Sequence, residues 1–417
     1  MFNKLAVMFK SVEAVRFGLL VMLVVIFPFN LTTNFIVLPL LSLFLVIVTN
    51  RAHLSFRIFR ISTKGLWLCA LFLIHLLWFA PFIYKTGSFG YIEKTLPFLL
   101  FPLMISSTSF EKDKIGVLAR FFIWAVLVSY FLSLFAAVYH YFYSVPRWGR
   151  PTDFFFHEQF TDGLIGIHPT YYGLMGSLAT LFAFQYFNRW IKYLIIIVLS
   201  LFILLIDAKI TIVVQLLLVA WLFIKDLYVG ITWRKVGIVT VVLVLIGVAI
   251  NMTSSIYDYP HRRFASNLNV LWDRSYAPDI NDADGGIVIR MAIWRSALEV
   301  IRNHFFIGVG IGNEQEHLVD EYRKNNVSFL VVNDFNAHNQ ILSYFISTGL
   351  FGVLLLTVWW IPCIRDAIRG GNLMYFEFIS MILIVCLTET LFGRVMGVAI
   401  FAFFNTLLVL KFVNNDK

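Results

Sequence analysis

A succession of long apolar runs, most of them near the length that crosses a bilayer, constrains this chain more than anything else in it. A helix needs about 20 mostly apolar residues to traverse the hydrocarbon core. Runs of this kind lie near 14–30, 33–49, 65–83, 95–107, 116–140, 169–187, 192–207, 210–225, 236–252, 338–363, 374–391 and 395–412. The expected fold is an all-α membrane protein with about 12 transmembrane helices. Composition points the same way: 60% of the 417 residues are hydrophobic, 14% are charged, and the mean hydropathy is +0.82. A soluble domain is about 45–50% apolar and about 25% charged. A larger core does not close that gap, so lipid is the expected solvent for most of the surface.

The net charge of +9 comes from 33 basic against 24 acidic residues. No basic stripe interleaved with aromatics accompanies it, so nucleic acid is not an expected partner. The basic residues flank the apolar runs instead, which is how spans are oriented. With the amino terminus in the cytoplasm, inward segments hold nineteen of the 33, including Arg51, Arg57, Arg60, Lys64, Arg365 and Arg369. Short outward loops hold six: Lys85, Lys94, Arg147, Arg150, Lys209 and Arg394. The remaining eight lie in 253–337, and long loops do not orient a chain. Both termini are therefore expected to be cytoplasmic. Cys69, Cys363 and Cys386 sit in or beside apolar runs, as buried small residues rather than a disulfide framework or metal set. No cleavable signal peptide is expected, because the Val15–Phe29 run lacks a small-residue cleavage site and a second run follows at once.

Three parts follow: spans 1–9 in 1–252, an outer loop in 253–337, and spans 10–12 in 338–417. Within the loop, Ile293, Trp294, Ala297, Leu298 and Ile301 recur at helical spacing and predict an amphipathic helix over 290–304, ended by the GVGIGN turn at 308–313. A second outward segment, 141–168, is shorter.

Chemistry-bearing residues gather on this outer side. His338 stands where the long loop enters the tenth span; a histidine titrates near neutral pH and accepts a proton there. The alternative is an interfacial histidine making one hydrogen bond. His168 and Tyr172, in IHPTYYG, read either as substrate contacts or as a capping turn, since proline is ordinary at a first helical turn. Arg147, Arg150, Lys209, Arg290 and Arg394 would suit a diphosphate if they converged. Otherwise they are anchors or ion pairs, such as Asp207 with Lys209 or Glu389 with Arg394. Asp282 and Asp284 form a DxD, a spacing common in loops and not read here as a metal site. GVGIGN is not a dinucleotide fingerprint, because no strand precedes it.

Arg290 followed by Trp294, the GVGIGN turn, AHN at 337–339 and the Gly349/Gly352 pair together resemble the O-antigen ligase family, which includes O-antigen polymerases and protein O-oligosaccharyltransferases. HPTYYG at 168–173 is similar to an earlier outer motif of that family. The resemblance implies a GT-C-like polytopic bundle in the bacterial inner membrane, with a large periplasmic loop between helices 9 and 10. It implies inverting glycosyl transfer at the periplasmic face, with no metal and no cofactor. The donor would be an undecaprenyl-diphosphate-linked glycan and the acceptor lipid A–core or a growing glycan, with membrane lipids as further partners. His338 then matches the catalytic histidine and Arg290 the loop arginine on the diphosphate. Lys209 stands where members often carry arginine, and offers a point charge rather than a fork. Arg147 and Arg150 would add phosphate contacts, and His168, Tyr172 and Asn339 other substrate contacts. The leading expectation is a ligase and the second a polymerase joining repeat units. A transporter or flippase is the rival from another class; it predicts internal repeats and mid-span charges, and the sequence shows no repeat and few such charges.

Overall fold

The computed structural model describes residues 2–51, 63–79, 90–108, 113–144, 151–227, 286–369 and 372–412, and every regular element among these is helical. The first half supplies α1 (Phe2–Ile26), α2 (Asn34–Arg51), α3 (Thr63–Phe79), α4 (Gly90–Thr95), α5 (Pro97–Ser107) and α6 (Asp113–Tyr143). Then come α7 (His157–Asp162), α8 (Pro169–Tyr186), α9 (Arg189–Ile206) and α10 (Lys209–Leu227). The segment 286–332 forms α11 (Gly286–Asn303), α12 (Glu314–Lys324) and α13 (Ser328–Val332), followed by α14 (Gln340–Arg369), α15 (Leu373–Cys386) and α16 (Val395–Phe412). Each expected apolar run coincides with a helix except 236–252, which lies outside the described residues, as do Asp282 and Asp284. Val12–Phe29, α6 and α14 are long and apolar enough to cross a membrane by length and composition, and α3 and α15 are among the shorter apolar helices.

The pattern of exposure explains why these sequences are stable as helices. α6 is about 46 Å long at 1.5 Å per residue, and it presents Phe121, Trp124, Val128, Phe131 and Phe135 outward. An apolar face of that extent is unfavourable in water and natural in lipid. By contrast, α16 is buried all round from Met396 to Leu410, as expected of a helix with no polar face. It forms the centre of the bundle, packed against α3, α5, α8 and α15. Arg16, inside α1, is buried but shared among Glu13, Ser42 and Ser107 at 2.8–3.3 Å, so its charge does not stand alone.

A second, smaller core joins the 286–332 segment to the bundle. Ile293, Ala297 and Val300 of α11 meet Leu318 and Tyr322 of α12, Leu330 of α13 and Ile346 of α14. Here α14 departs from the helix expected over 338–363: it breaks at Gly349 (φ 61°, ψ −168°). In an unbroken helix the Leu350 and Phe351 amides would donate to the Ile346 and Ser347 carbonyls. Instead they donate to Phe305 O (2.8 Å) and Phe306 O (3.2 Å), while Val309 N and Gly310 N donate to Ile346 O and Ser347 O, both at 2.9 Å. The loop after α11 thus takes up all four backbone groups that the break releases, which a low-dielectric surround requires. Only glycine fits this crossing. A Cβ on Gly308 (φ 77°) or Gly349 would fall 2.5–2.6 Å from the other's backbone.

Candidate active site

Two connections meet at one end of the bundle: the 333–339 turn into α14, and the 387–394 loop between α15 and α16. The apolar run expected to continue to residue 391 leaves the α-helix after Cys386, and beyond it Glu389 and Thr390 make contacts with Arg290, His338 and Asn336. Asn339 caps α14: its Oδ1 accepts from Ile341 N (2.9 Å) and Leu342 N (3.0 Å), and its Nδ2 donates to Leu387 O (2.8 Å). The Phe392 amide donates to Gln340 Oε1 (2.7 Å), and Thr390 Oγ1 donates to Asn336 Oδ1 (3.2 Å). Three successive links therefore tie the turn to the loop.

Between them sits His338, in the left-handed region at φ 43°. Histidine tolerates this conformation better than most residues, at a cost of about 1–3 kcal/mol. Its amide donates to Asn336 Oδ1 (2.9 Å), and Trp294 Nε1 donates to the neighbouring Ala337 carbonyl (3.1 Å), which holds the turn to α11. His338 Nδ1 is buried and lies 3.5 Å from Glu389 Oε2, an ion-pair distance with no well-formed hydrogen bond. The other oxygen, Oε1, is 3.3 Å from an Arg290 terminal nitrogen, and Arg290 Nε is buried without a partner. Glu389 joins the two residues that sequence reasoning ranks highest. Its own expected partner was Arg394, a reading replaced by the observed bridge to Arg290 and His338. Burial alone would push the Glu389 carboxyl up. Contact with His338 and the positive fields of His338, His168 and Arg290 outweigh it and hold the group below its ordinary value.

His168 faces the same cluster from the start of α8, where its Nδ1 accepts from Thr170 N at 3.4 Å. Burial lowers its imidazole to about 4; Arg394, His157 and His338 add to the shift and Glu389 opposes it. At neutral pH the ring is uncharged. In the same motif Tyr171, rather than Tyr172, turns toward the loop, its hydroxyl 3.4 Å from Thr390 O and 3.5 Å from Leu391 O. Tyr172 is fully buried in the bundle, with its hydroxyl 3.1 Å from Ser133 Oγ.

The remaining sequence candidates are dispersed. Lys209 is exposed at the start of α10, in the field of Asp207 rather than in the Glu389 cluster. Burial raises the Asp207 carboxyl, and His157 and Lys209 oppose that rise. The charge of His157 bears on both His168 and Asp207, lowering each. Arg147 and Arg150 lie outside the described residues.

The arrangement offers a histidine held by a carboxylate, an arginine on the same carboxylate, and an uncharged second histidine. Such a set has the chemistry to move a proton and to meet an anion. Residues 195–357 match a family model described as O-Antigen ligase, a segment that holds Lys209, Arg290, His338, Asn339 and the Gly349 break. A comparison with curated proteins finds no match.

Proposed function

Residues 195–357 match a family model described as O-Antigen ligase, and from that likeness we propose that the protein transfers a glycan from undecaprenyl diphosphate to a hydroxyl of lipid A–core, at the periplasmic face of the bacterial inner membrane. The single observation that carries this reading is the bridging of His338 and Arg290 by Glu389. The proposed organisation has spans in 1–252 and 338–417 around an outer loop in 253–337, with both termini cytoplasmic.

Transfer of this kind needs a base for the attacking hydroxyl and cations for the leaving diphosphate. With Nδ1 of His338 turned to Glu389, Nε2 is the nitrogen left to take the acceptor proton, and the carboxylate stabilises the imidazolium that forms. The hydroxyl oxygen bonds to the anomeric carbon as that carbon's bond to the diphosphate oxygen breaks on the opposite face. The electron pair leaves with the diphosphate and the configuration inverts. The diphosphate is already a good leaving group, so the step as written draws on neither a metal nor a nucleotide. Arg290 meets the charge that develops. Arg147, Arg150 and Lys209 are proposed as further phosphate contacts. His168, neutral at physiological pH, exchanges hydrogen bonds with sugar hydroxyls, alongside Asn339; the sequence candidate Tyr172, buried against Ser133, is not among these contacts.

His338→Ala should leave a folded, membrane-inserted protein and reduce transfer from a lipid-linked donor by about 10²–10⁴-fold. Wild-type transfer by that variant would remove His338 from the mechanism. In cells lacking the protein, lipid A–core should carry no polymer; a core bearing one repeat unit would identify polymerisation instead.

A further inference from the structure

The inner ends of α3 and α14 enclose a cavity of about 420 Å³ that the glycan-transfer site does not use. Asp366, on its rim, lies 16 residues beyond Leu350, where α14 resumes after its break, about 24 Å along the helix at 1.5 Å per residue. Two features open it. Pro362 stands inside α14 on the cavity wall, where it has no amide to donate to the preceding turn. Small side chains, Ala70 and Cys363, line the space beside it. A reciprocal clasp keeps the helices from closing over it: Trp67 Nε1 donates to Trp359 O (3.2 Å) and Trp359 Nε1 to Trp67 O (2.9 Å).

The walls divide by chemistry. Leu66, Trp67, Leu68, Ala70 and Val409 make an apolar slot, while Lys64, Arg365 and Asp366 stand together at its rim. Lys64 Nζ is 2.8 Å from Asp366 Oδ2, and Arg365 Nε is 3.8 Å from Asp366 Oδ1. Two cations thus share one carboxylate and leave one net positive charge. The Arg365 side chain is 59% exposed. The volume falls in the ordinary range of ligand sites, about 300–1,000 Å³. A single positive charge above an apolar slot, at the end of two apolar helices, complements an anionic headgroup joined to an acyl chain. Basic pockets between spans on the cytoplasmic side hold lipids of that kind.

We propose that this cavity binds an anionic phospholipid, its acyl chain between α3 and α14 and its phosphate against Arg365 and Lys64. The proposal does not depend on which glycan reaction the other end performs. A basic residue near the membrane surface is worth about fivefold in affinity, so the net charge gives phosphatidylglycerol about a fivefold preference over phosphatidylcholine.

The full-length protein, delipidated in detergent, is to be titrated with each lipid and with inorganic phosphate. Thermal midpoint and lipid adducts in native mass spectrometry are the readouts. Wild type should show the preference, and inorganic phosphate alone should produce no comparable shift. The double variant Lys64→Ala, Arg365→Ala leaves Asp366 alone and should reverse the preference. Asp366→Asn should raise it beyond wild type, an outcome that simple misfolding does not produce. Ala70→Phe fills the slot with the rim charges intact and should abolish adducts of both lipids. Equal binding of both lipids by wild type, an unchanged preference in the double variant, retained adducts in Ala70→Phe, or a full response to inorganic phosphate would each overturn the proposal.

Discussion

Glu389→Gln keeps the shape of the side chain that bridges Arg290 and His338 and removes its charge. The carboxylate lies 3.5 Å from His338 Nδ1 and 3.3 Å from Arg290. A unit pair at 3.5 Å is worth about 5 kcal/mol at an effective dielectric of about 20. Arg290 draws on the same carboxylate, and the imidazole is 22% exposed to screening. About half of the interaction, ~2–3 kcal/mol, then remains as stabilisation of the imidazolium formed during proton transfer. At 1.36 kcal/mol per factor of ten, kcat should fall about 10²-fold. The assay is transfer from a lipid-linked donor by purified protein in nanodiscs, with kcat and KM measured separately and the thermal midpoint followed in parallel. Arg290 is partly exposed, so losing its partner should cost only about 1 kcal/mol of stability. Glu389→Asp retains the charge at a shorter reach and should fall between the two. A Gln variant within threefold of wild-type kcat would refute the reasoning, as would a loss of activity accounted for by unfolding.

Asn339→Ala removes a helix cap and the hydrogen bond to Leu387 O. Together these should cost about 2 kcal/mol in thermal or denaturant unfolding, while Asn339→Asp, which keeps the cap, should lose about half as much. The folded His168 value near 4 lies below its ordinary 6.5, so the unfolded chain binds the extra proton between them. Stability should fall by up to about 1.4 kcal/mol per pH unit as pH drops from 6.5 to 4, and His168→Asn should remove that component from a midpoint-versus-pH curve. Glu389 acts lower: its contribution is complete above the ordinary 4.5 and is lost as pH falls through its depressed value. Gly349→Ala combines a left-handed backbone with a Cβ 2.5 Å from the facing chain, and should destabilise by about 3 kcal/mol, read as lost folded yield and a lowered midpoint.

Much of this architecture is legible before any coordinates are seen. Apolar runs mark the helices because length and hydropathy are local properties. The 290–304 stripe anticipates α11, observed as Gly286–Asn303, with Arg290 near its start, and His338 stands out as a polar residue where the long loop enters a span. What is not legible depends on distance through the fold. Glu389 reads as a partner for nearby Arg394, yet it closes on Arg290, 99 residues away in sequence. Tyr171 and Tyr172 differ by one helical step of about 100°, and only packing decides which meets the 387–394 loop. The Gly349/Gly352 pair is legible as part of a family resemblance and not as a break in the helix. Nothing in the run from 340 to 369 announces that Gly349 interrupts the hydrogen-bond ladder, because the groups that complete it come from 305–310.

The splice at Gly349 also limits how the two parts can diverge in length. Each of its four amides is matched to a carbonyl one register step from a wrong partner, so inserting or deleting one residue in 305–310 would unseat all four at once. The outer unit is therefore not a freely exchangeable attachment on the span. Turns far from the splice are free of this constraint, whereas this stretch is bound to keep its count, and α11, which carries Arg290, and α14, which the His338 turn enters, are held in a common frame.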